Sequence, residues 1–460
     1  MRAPAAAAAP APRARQRALQ ALAGAAPRPE TVFLLIGLVA GLLFAFVTPP
    51  LRGADEAAHW YRAYQLSEGA ILAQRMEDRV GGALPRSAQL RPAASPSQAV
   101  GTAEDVPSPD DRAFVDFRNT AVYSPVAYLP QALIIAAGRA LGLPPPALFF
   151  AARLTGLATA LGLIFFAIRI IPIAKHVFVL LALTPMAIRQ MSVLSADTVT
   201  NATALLLLAL CVRLALRPGA VATAAQIARV LLCSVAVSLA KIAYLPLAGL
   251  ILLGSAERVG RRRAIAFVLV IGANLMAVGG WLWLARVGYA AQRIAPDADP
   301  PRQLAFVLGD PLRYALLLLD DLHRHWRVYL AGCTGFTSVF PPALGPLHLG
   351  LVALVAALDG RADAAIDGRG RWILAAVAVS TYALINTLNY LGWNPVGASA
   401  ISFVQGRYYI PILPLPFLML SNRRLAGVLS ERRLTAVAAC AGVLVAGFAV
   451  RALLLRWQGS

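Results

Sequence analysis

Residues 226–256 read QIARVLLCSVAVSLAKIAYLPLAGLILLGSA. Past Arg229, the one charge in this apolar run is Lys241, near its middle, with Pro246 shortly after it. As a single long membrane helix the run buries a lone lysine in lipid, which is costly. As a hairpin it turns at Lys241 and Pro246, where a cation meets water and a proline interrupts no helix.

The basic residues of the flanking segments decide between these readings. Arg169, Lys175, Arg213, Arg217 and Arg229 stand between apolar runs with no acid among them. If 226–256 is one helix, Tyr123–Leu143 must span as well, and these five residues fall outside. If it is a hairpin, Tyr123–Leu143 lies along or dips into the outer face. The five then join Arg258, Arg261, Arg262, Arg263, Arg361, Arg369, Arg371, Arg423, Arg424, Arg432 and Arg433 inside, as the positive-inside rule requires. The hairpin reading predicts eleven spans: Thr31–Val47, 148–168, 177–191, 198–216, two within 226–256, 264–285, 346–358, 372–391, 407–420 and 434–455.

Composition agrees with an all-α polytopic membrane protein. Of 460 residues 59% are hydrophobic, 14% are charged and the mean hydropathy is +0.66. A soluble domain carries about 25% charge. Long unbroken apolar runs exclude a β-barrel, whose strands alternate. The net charge of +20 is almost all arginine, since Lys175 and Lys241 are the only lysines. Its placement in short tracts between apolar runs argues against a nucleic-acid surface. Four scattered cysteines give neither a disulfide framework nor a zinc site.

Residues 1–30, rich in Ala, Pro and Arg, read as a disordered basic cytoplasmic tail. Residues 31–455 read as one membrane domain with an uncleaved first span and outer loops at 48–147 and 286–345. Within the first loop, 80–112 is expected to be irregular. Asp55–Gly69 is expected to form an amphipathic helix, with Trp60 and Tyr64 at the membrane interface.

Four motifs could carry chemistry. Asp55-Glu56-Ala57-Ala58-His59 follows the first span. Asp55 and His59 share a helix face, and paired acids beside a histidine suit a general base, metal ligands or a sugar-hydroxyl clamp. The plainer alternative is an acidic helix N-terminus. Asp197 is the only carboxylate between Asp116 and Glu257; it is either a functional acid or a helix cap. Lys241 with Tyr244 suits a phosphate, or a lysine snorkelling from a helix end. Arg407 with Tyr408 suits bidentate phosphate binding or an interfacial anchor. Asp297-Ala298-Asp299 and Asp320-Asp321-Leu322-His323-Arg324-His325 are weaker candidates for metal binding. No nucleotide-binding or hydrolase motif occurs.

Read together, Pro49-Pro50, Asp55-Glu56-x-x-His59, Tyr123-x-Pro125-x-x-Tyr128-x-Pro130-Gln131, Ala152-Arg153-Leu154, Pro185-Met186, Ser195-x-Asp197, Lys241-x-x-Tyr244 and Gln405-Gly406-Arg407-Tyr408 resemble, in order and spacing, a bacterial membrane family known as domain of unknown function 2142. That family resembles in turn the GT-C glycosyltransferases. The resemblance implies a protein of the bacterial cytoplasmic (inner) membrane, and the basic tail puts its N-terminus in the cytoplasm. It also implies a polyprenyl-phosphate-linked sugar as donor and an envelope glycan or lipid as acceptor. By the same resemblance Asp55 is the base and Lys241 and Arg407 bind the donor phosphate; with the motifs above, the candidate catalytic group is Asp55, Glu56, His59 and Asp197, and the candidate phosphate-binding group is Lys241, Tyr244, Arg407 and Tyr408. No cofactor is implied, and a divalent metal is left open. A flippase of lipid-linked sugars, or a non-catalytic partner in polysaccharide assembly, are the competing readings.

Overall fold

Among the described residues, six helices are long and apolar enough to cross a membrane. The computed structural model describes residues 27–90, 110–216, 222–254, 263–286, 297–337, 339–361 and 363–458. Most of the expected tail and the middle of the first loop therefore lie outside the described residues. In chain order the principal helices are α1 Pro29–Val47, α2 Glu56–Ser67, α3 Leu129–Ala140, α4 Pro145–Ile170, α5 Lys175–Ala182, α6 Pro185–Ser192, α7 Ala196–Leu216 and α8 Ala224–Ala240, then α9 Arg263–Leu284, α10 Pro300–Gly309, α11 Pro311–Thr334, α12 Leu344–Leu358, α13 Gly368–Trp393, α14 Pro414–Leu418 and α15 Glu431–Gln458. The six long ones are α1, α4, α7, α9, α13 and α15.

The remaining apolar runs are shorter or broken, and proline accounts for the breaks. Pro185 has no N–H to continue α5, so the run 177–191 becomes two eight-residue helices. The run 226–256 divides at Lys241, whose extended backbone separates α8 from a 3-10 segment, Ile242–Leu253, containing Pro246. The run 407–420 is a 3-10 segment, Gly406–Ile412, followed by α14. Within Tyr123–Leu143 the longest helix is α3, whose 12 residues extend about 18 Å, well short of a bilayer core of about 30 Å.

The bundle is built around α1, which packs on both α4 and α15, while α4 packs on α7 and α7 on α8. Glycine allows the α1–α4 contact: a Cβ on Gly41 would stand 2.6 Å from Leu157 Cδ1. Small residues at such crossings let backbones approach and gain dispersion contacts.

Hydrogen bonds gather one end of the bundle. His176 N donates to Asp359 Oδ2 (2.6 Å), the His176 ring meets Thr435 Oγ1 (2.9 Å), and Arg369 and Arg371 donate to the carbonyls of Leu252 and Ser421. These contacts join the C-terminal side of α4 to the termini of α12, α13, α14 and α15. Arg169, Lys175, Arg361, Arg423 and Arg432 belong to the same end. Asp55, Asp197 and Lys241 sit at the other ends of their helices.

Two expectations for the first loop are corrected. Residues 80–112 are not irregular throughout. Strands β1 Gln74–Met76, β2 Arg79–Pro85 and β3 Arg112–Asp116 form an antiparallel sheet in that order. Arg112 ties it to α2, donating to both oxygens of Glu68 at 3.1 and 2.7 Å. Trp60 does not face a membrane interface either. It is fully buried against Phe149, and its indole donates to the Ala88 carbonyl at 2.8 Å. The loop folds back over α2 and supplies the partner that a buried indole N–H needs.

Candidate functional site

Thr48-Pro49-Pro50 ends α1, and the chain turns sharply into α2. Two non-glycine residues of this turn have positive φ, Leu51 at 64° and Asp55 at 57°. Such strain tends to be kept where function requires it. Asp55 occupies the N-cap position of α2, yet its side chain makes no capping hydrogen bond. Its Oδ2 instead accepts from Arg407 Nη2 at 2.7 Å, and Asn119 Nδ2 reaches Oδ1 at 3.4 Å. Asp55 thus stands at the helix N-terminus, with its carboxylate turned to Arg407 and not to the helix amides.

Arg407 is held by close backbone packing. It opens the 3-10 segment 406–412, where a Cβ on Gly406 would lie 2.5 Å from the Tyr329 carbonyl oxygen and 2.7 Å from Gly332 Cα. Only glycine lets this segment approach α11 so closely. Arg407 Nε stands 3.8 Å from Asp197 Oδ2 and, among the described residues, makes no hydrogen bond.

Asp197 lies in the first turn of α7. Gln190 Nε2 donates to its Oδ2 at 2.7 Å, and Lys241 Nζ forms an ion pair with its Oδ1. Lys241 and Arg407 therefore stand at the two oxygens of one carboxylate. Tyr408 lies beside both, its ring centre 4.9 Å from Lys241 Nζ and 5.4 Å from the Arg407 guanidinium carbon. Tyr123 covers the other side of Lys241 at 5.6 Å. Asp55 is the open edge of the group, with 41% of its side chain exposed against 6% for Arg407.

His59 lies on α2 beneath Asp55. One ring nitrogen meets Tyr128 Oη at 2.6 Å, and the other faces Ser195 Oγ at 3.5 Å. Burial pushes its pKa down to about 3, against the partial upward pull of Asp197. The imidazole is neutral at physiological pH.

Two of the expected site residues are placed elsewhere. Glu56 has no solvent exposure. Arg153 grips it through Nε (2.8 Å) and Nη2 (2.7 Å), and the Leu194 and Gly53 amides donate to it at 2.9 Å. Arg153 also donates to the carbonyls of Ala45, Thr48 and Pro49. This pair fastens the α1–α2 corner to α4 and to the turn before α7. Tyr244 spends its hydroxyl on the Tyr408 carbonyl at 2.9 Å and supports the site from behind. Residues that sequence reading left without a role are Arg153, Tyr128, Gln190 and Tyr123. A single arginine within the apolar run 148–168 was the available signal for the first.

The weaker motifs serve the loop. Asp299 caps α10. Asp321 is buried and receives the hydroxyls of Tyr329 and Tyr382 together with His325 Nδ1 (2.9 Å). Among the described residues no three His, Cys, Asp or Glu side chains are grouped to hold a metal.

A model of the family described as predicted membrane protein (DUF2142) matches residues 38–416, which include every residue of this site. No curated protein and no solved structure matches the chain.

Proposed function

The chain belongs to the DUF2142 family of predicted membrane proteins, and from that premise we propose that it transfers a sugar from a polyprenyl-phosphate donor to an envelope glycan or lipid acceptor at the outer face of the membrane. One observation carries the reading. An exposed carboxylate, Asp55, adjoins two buried cations that converge on Asp197. Glycosyl transfer needs both parts: a base for the acceptor hydroxyl and positive charge for the departing phosphate.

In this mechanism the donor phosphate enters against Lys241 and Arg407. Arg407, already lacking an acceptor for Nε, turns from Asp55 toward the phosphate. The freed Asp55 accepts the proton of the acceptor hydroxyl while its oxygen attacks the anomeric carbon. The bond from that carbon to the phosphate oxygen breaks, and the lipid phosphate leaves with the electron pair, held by the two cations. Neutral His59 orients Ser195 and Tyr128 and adds no charge.

The outer-face assignment rests on the arginine tracts, whose described members Arg169, Lys175, Arg361, Arg369, Arg371, Arg423 and Arg432 gather at the end of the bundle opposite Asp55, while Arg217, Arg258, Arg261 and Arg262 lie outside the described residues. By the positive-inside rule that end is cytoplasmic. The N-terminus then lies in the cytoplasm of a bacterial inner-membrane protein, and the short and broken helices complete eleven spans in a GT-C-like arrangement.

The test is complementation of a deletion strain. Asp55→Asn should abolish glycan transfer with protein abundance unchanged. Full complementation by Asp55→Asn would remove the catalytic claim in favour of a flippase or an assembly partner.

A further inference from the structure

Helix α11 is 24 residues long, enough to cross a bilayer, but it is not among the helices apolar enough to do so. At about 100° per residue its side chains sort into three faces. Tyr314, Asp321 and Tyr329 turn inward and are buried. Leu312, Leu316, Leu319, Leu322 and Trp326 are 42–71% exposed, and they fall within an arc of about 120°. Arg313, Asp320, Arg324 and Arg327 lie between these two faces. Tyr314 donates to Thr387 Oγ1 at 2.8 Å, toward the end of α13 away from Arg369 and Arg371, so α11 begins on the Asp55 side of the bundle.

A cavity of about 240 Å³ opens where the apolar and basic faces meet, lined in part by Phe306, Arg313, Leu316, Leu317, Asp320 and Ser399. Its charged groups are Arg313 and Asp320. Asp320 is engaged by Arg324 Nε at 2.8 Å. The Arg313 guanidinium lies over the Phe306 ring, 5.3 Å from its centre, and among the described residues it enters no salt bridge. A cation held in place without a carboxylate suits an anionic ligand, and arginine offers a phosphate two parallel donors. Leu316 belongs to both the cavity wall and the exposed apolar face, so a molecule in the cavity continues directly onto that face.

We propose that this cavity binds the headgroup of an anionic membrane phospholipid, with its phosphate on Arg313 and Ser399 and its acyl chains along Leu312, Leu316 and Leu319. An exposed apolar strip is costly in water and matches hydrocarbon, while the adjoining basic edge matches the headgroup layer. A glycan would fill the cavity and leave the leucines bare. Helix α11 then lies along the leaflet on the Asp55 side and does not cross the membrane. Arg313 stands about 24 Å along the helix from Tyr329, which packs on Tyr409. This lipid is therefore separate from the donor proposed at Arg407, and the inference holds whether or not sugar is transferred.

Purified full-length protein in detergent, titrated with phosphatidylglycerol and phosphatidylcholine and read by native mass spectrometry, tests this. The native protein should bind phosphatidylglycerol about fivefold more tightly, the effect of one arginine beside an anionic headgroup. Arg313→Gln should remove that preference and leave phosphatidylcholine binding unchanged. Asp320→Asn, which takes the acid from the cavity wall, should increase the preference, and it serves as the readout if the Arg313 variant does not fold. Leu316→Asn should weaken both lipids. Equal binding of the two lipids by the native protein, or an unchanged preference in Arg313→Gln or Asp320→Asn, overturns the headgroup site. Glycerol 1-phosphate binding as tightly as phosphatidylglycerol assigns the cavity to a free phosphate and also overturns it. A matching loss of farnesyl phosphate affinity in Arg313→Gln assigns the cavity to the donor and does the same.

Discussion

Arg407 and Asp55 are 352 residues apart in sequence and 2.7 Å apart in the folded chain. The ion pair joins the first loop to the second 3-10 segment, and each partner serves as the other's counter-ion. In the proposed reaction a phosphate takes the guanidinium and an acceptor hydroxyl takes the carboxylate, so these contacts are exchanged without stranding a charge.

If Lys241 and Arg407 grip one phosphate, each contact contributes about 1.5–3 kcal/mol, and losing one weakens donor binding roughly ten- to a hundred-fold. Lys241→Met and Arg407→Met should each raise the apparent donor constant. The double variant should lose less than the sum, because both side chains act on one group. Arg407→Lys should recover only part, since a point charge does not replace a fork. Full additivity in the double variant would place the two cations on separate ligands.

The Glu56–Arg153 pair should behave as structure. Glu56→Gln leaves a buried guanidinium without its anion, a loss of about 3–5 kcal/mol, and should lower the melting temperature and the yield. Asp55→Asn should leave both near native. A Glu56→Gln protein that melts like the native one but transfers no sugar would return Glu56 to the catalytic group.

His59 gives a pH dependence whose sign follows from its burial. In the unfolded chain it takes up a proton below about 6.5; in the folded protein it does so only near 3. Between those values the unfolded state binds more protons, so stability falls as pH falls through that window. Thermal unfolding from pH 7 to pH 4 should show this slope, and His59→Gln should flatten it. An unchanged slope would mean that His59 is already protonated in the folded state.

The two ends of the bundle can be assigned by labelling. A cysteine at the exposed Glu77 should react with a membrane-impermeant maleimide in whole cells, and one at the exposed Arg424 should not. The reverse pattern would invert the protein in the membrane and put the site in the cytoplasm.

Much of this site was legible because its members are charges in apolar surroundings. Asp197, Lys241 and Arg407 each stand out in a run that lipid or core would otherwise claim, and the arginine tracts put them at one end. What sequence could not separate was Asp55 from Glu56. Adjacent residues on a helix point about 100° apart, so one reaches Arg407 while the other turns inward to Arg153. Trp60 was misplaced for a related reason: a loop that covers α2 leaves no periodic signal. The main strand of that loop, Arg79–Pro85, carries Gly81-Gly82 and is buried on both faces, so it shows no alternation, and the 3-10 segments look like ordinary apolar spans until their prolines are considered.

Gly332 and Gly406 meet backbone to backbone, with no side chain between them. Side chains at an interface can change rotamer and absorb a displacement, but two bare backbones in contact cannot. Any tilt of α11 is therefore passed directly to the segment carrying Arg407, and with it to the distance between that guanidinium and Asp55.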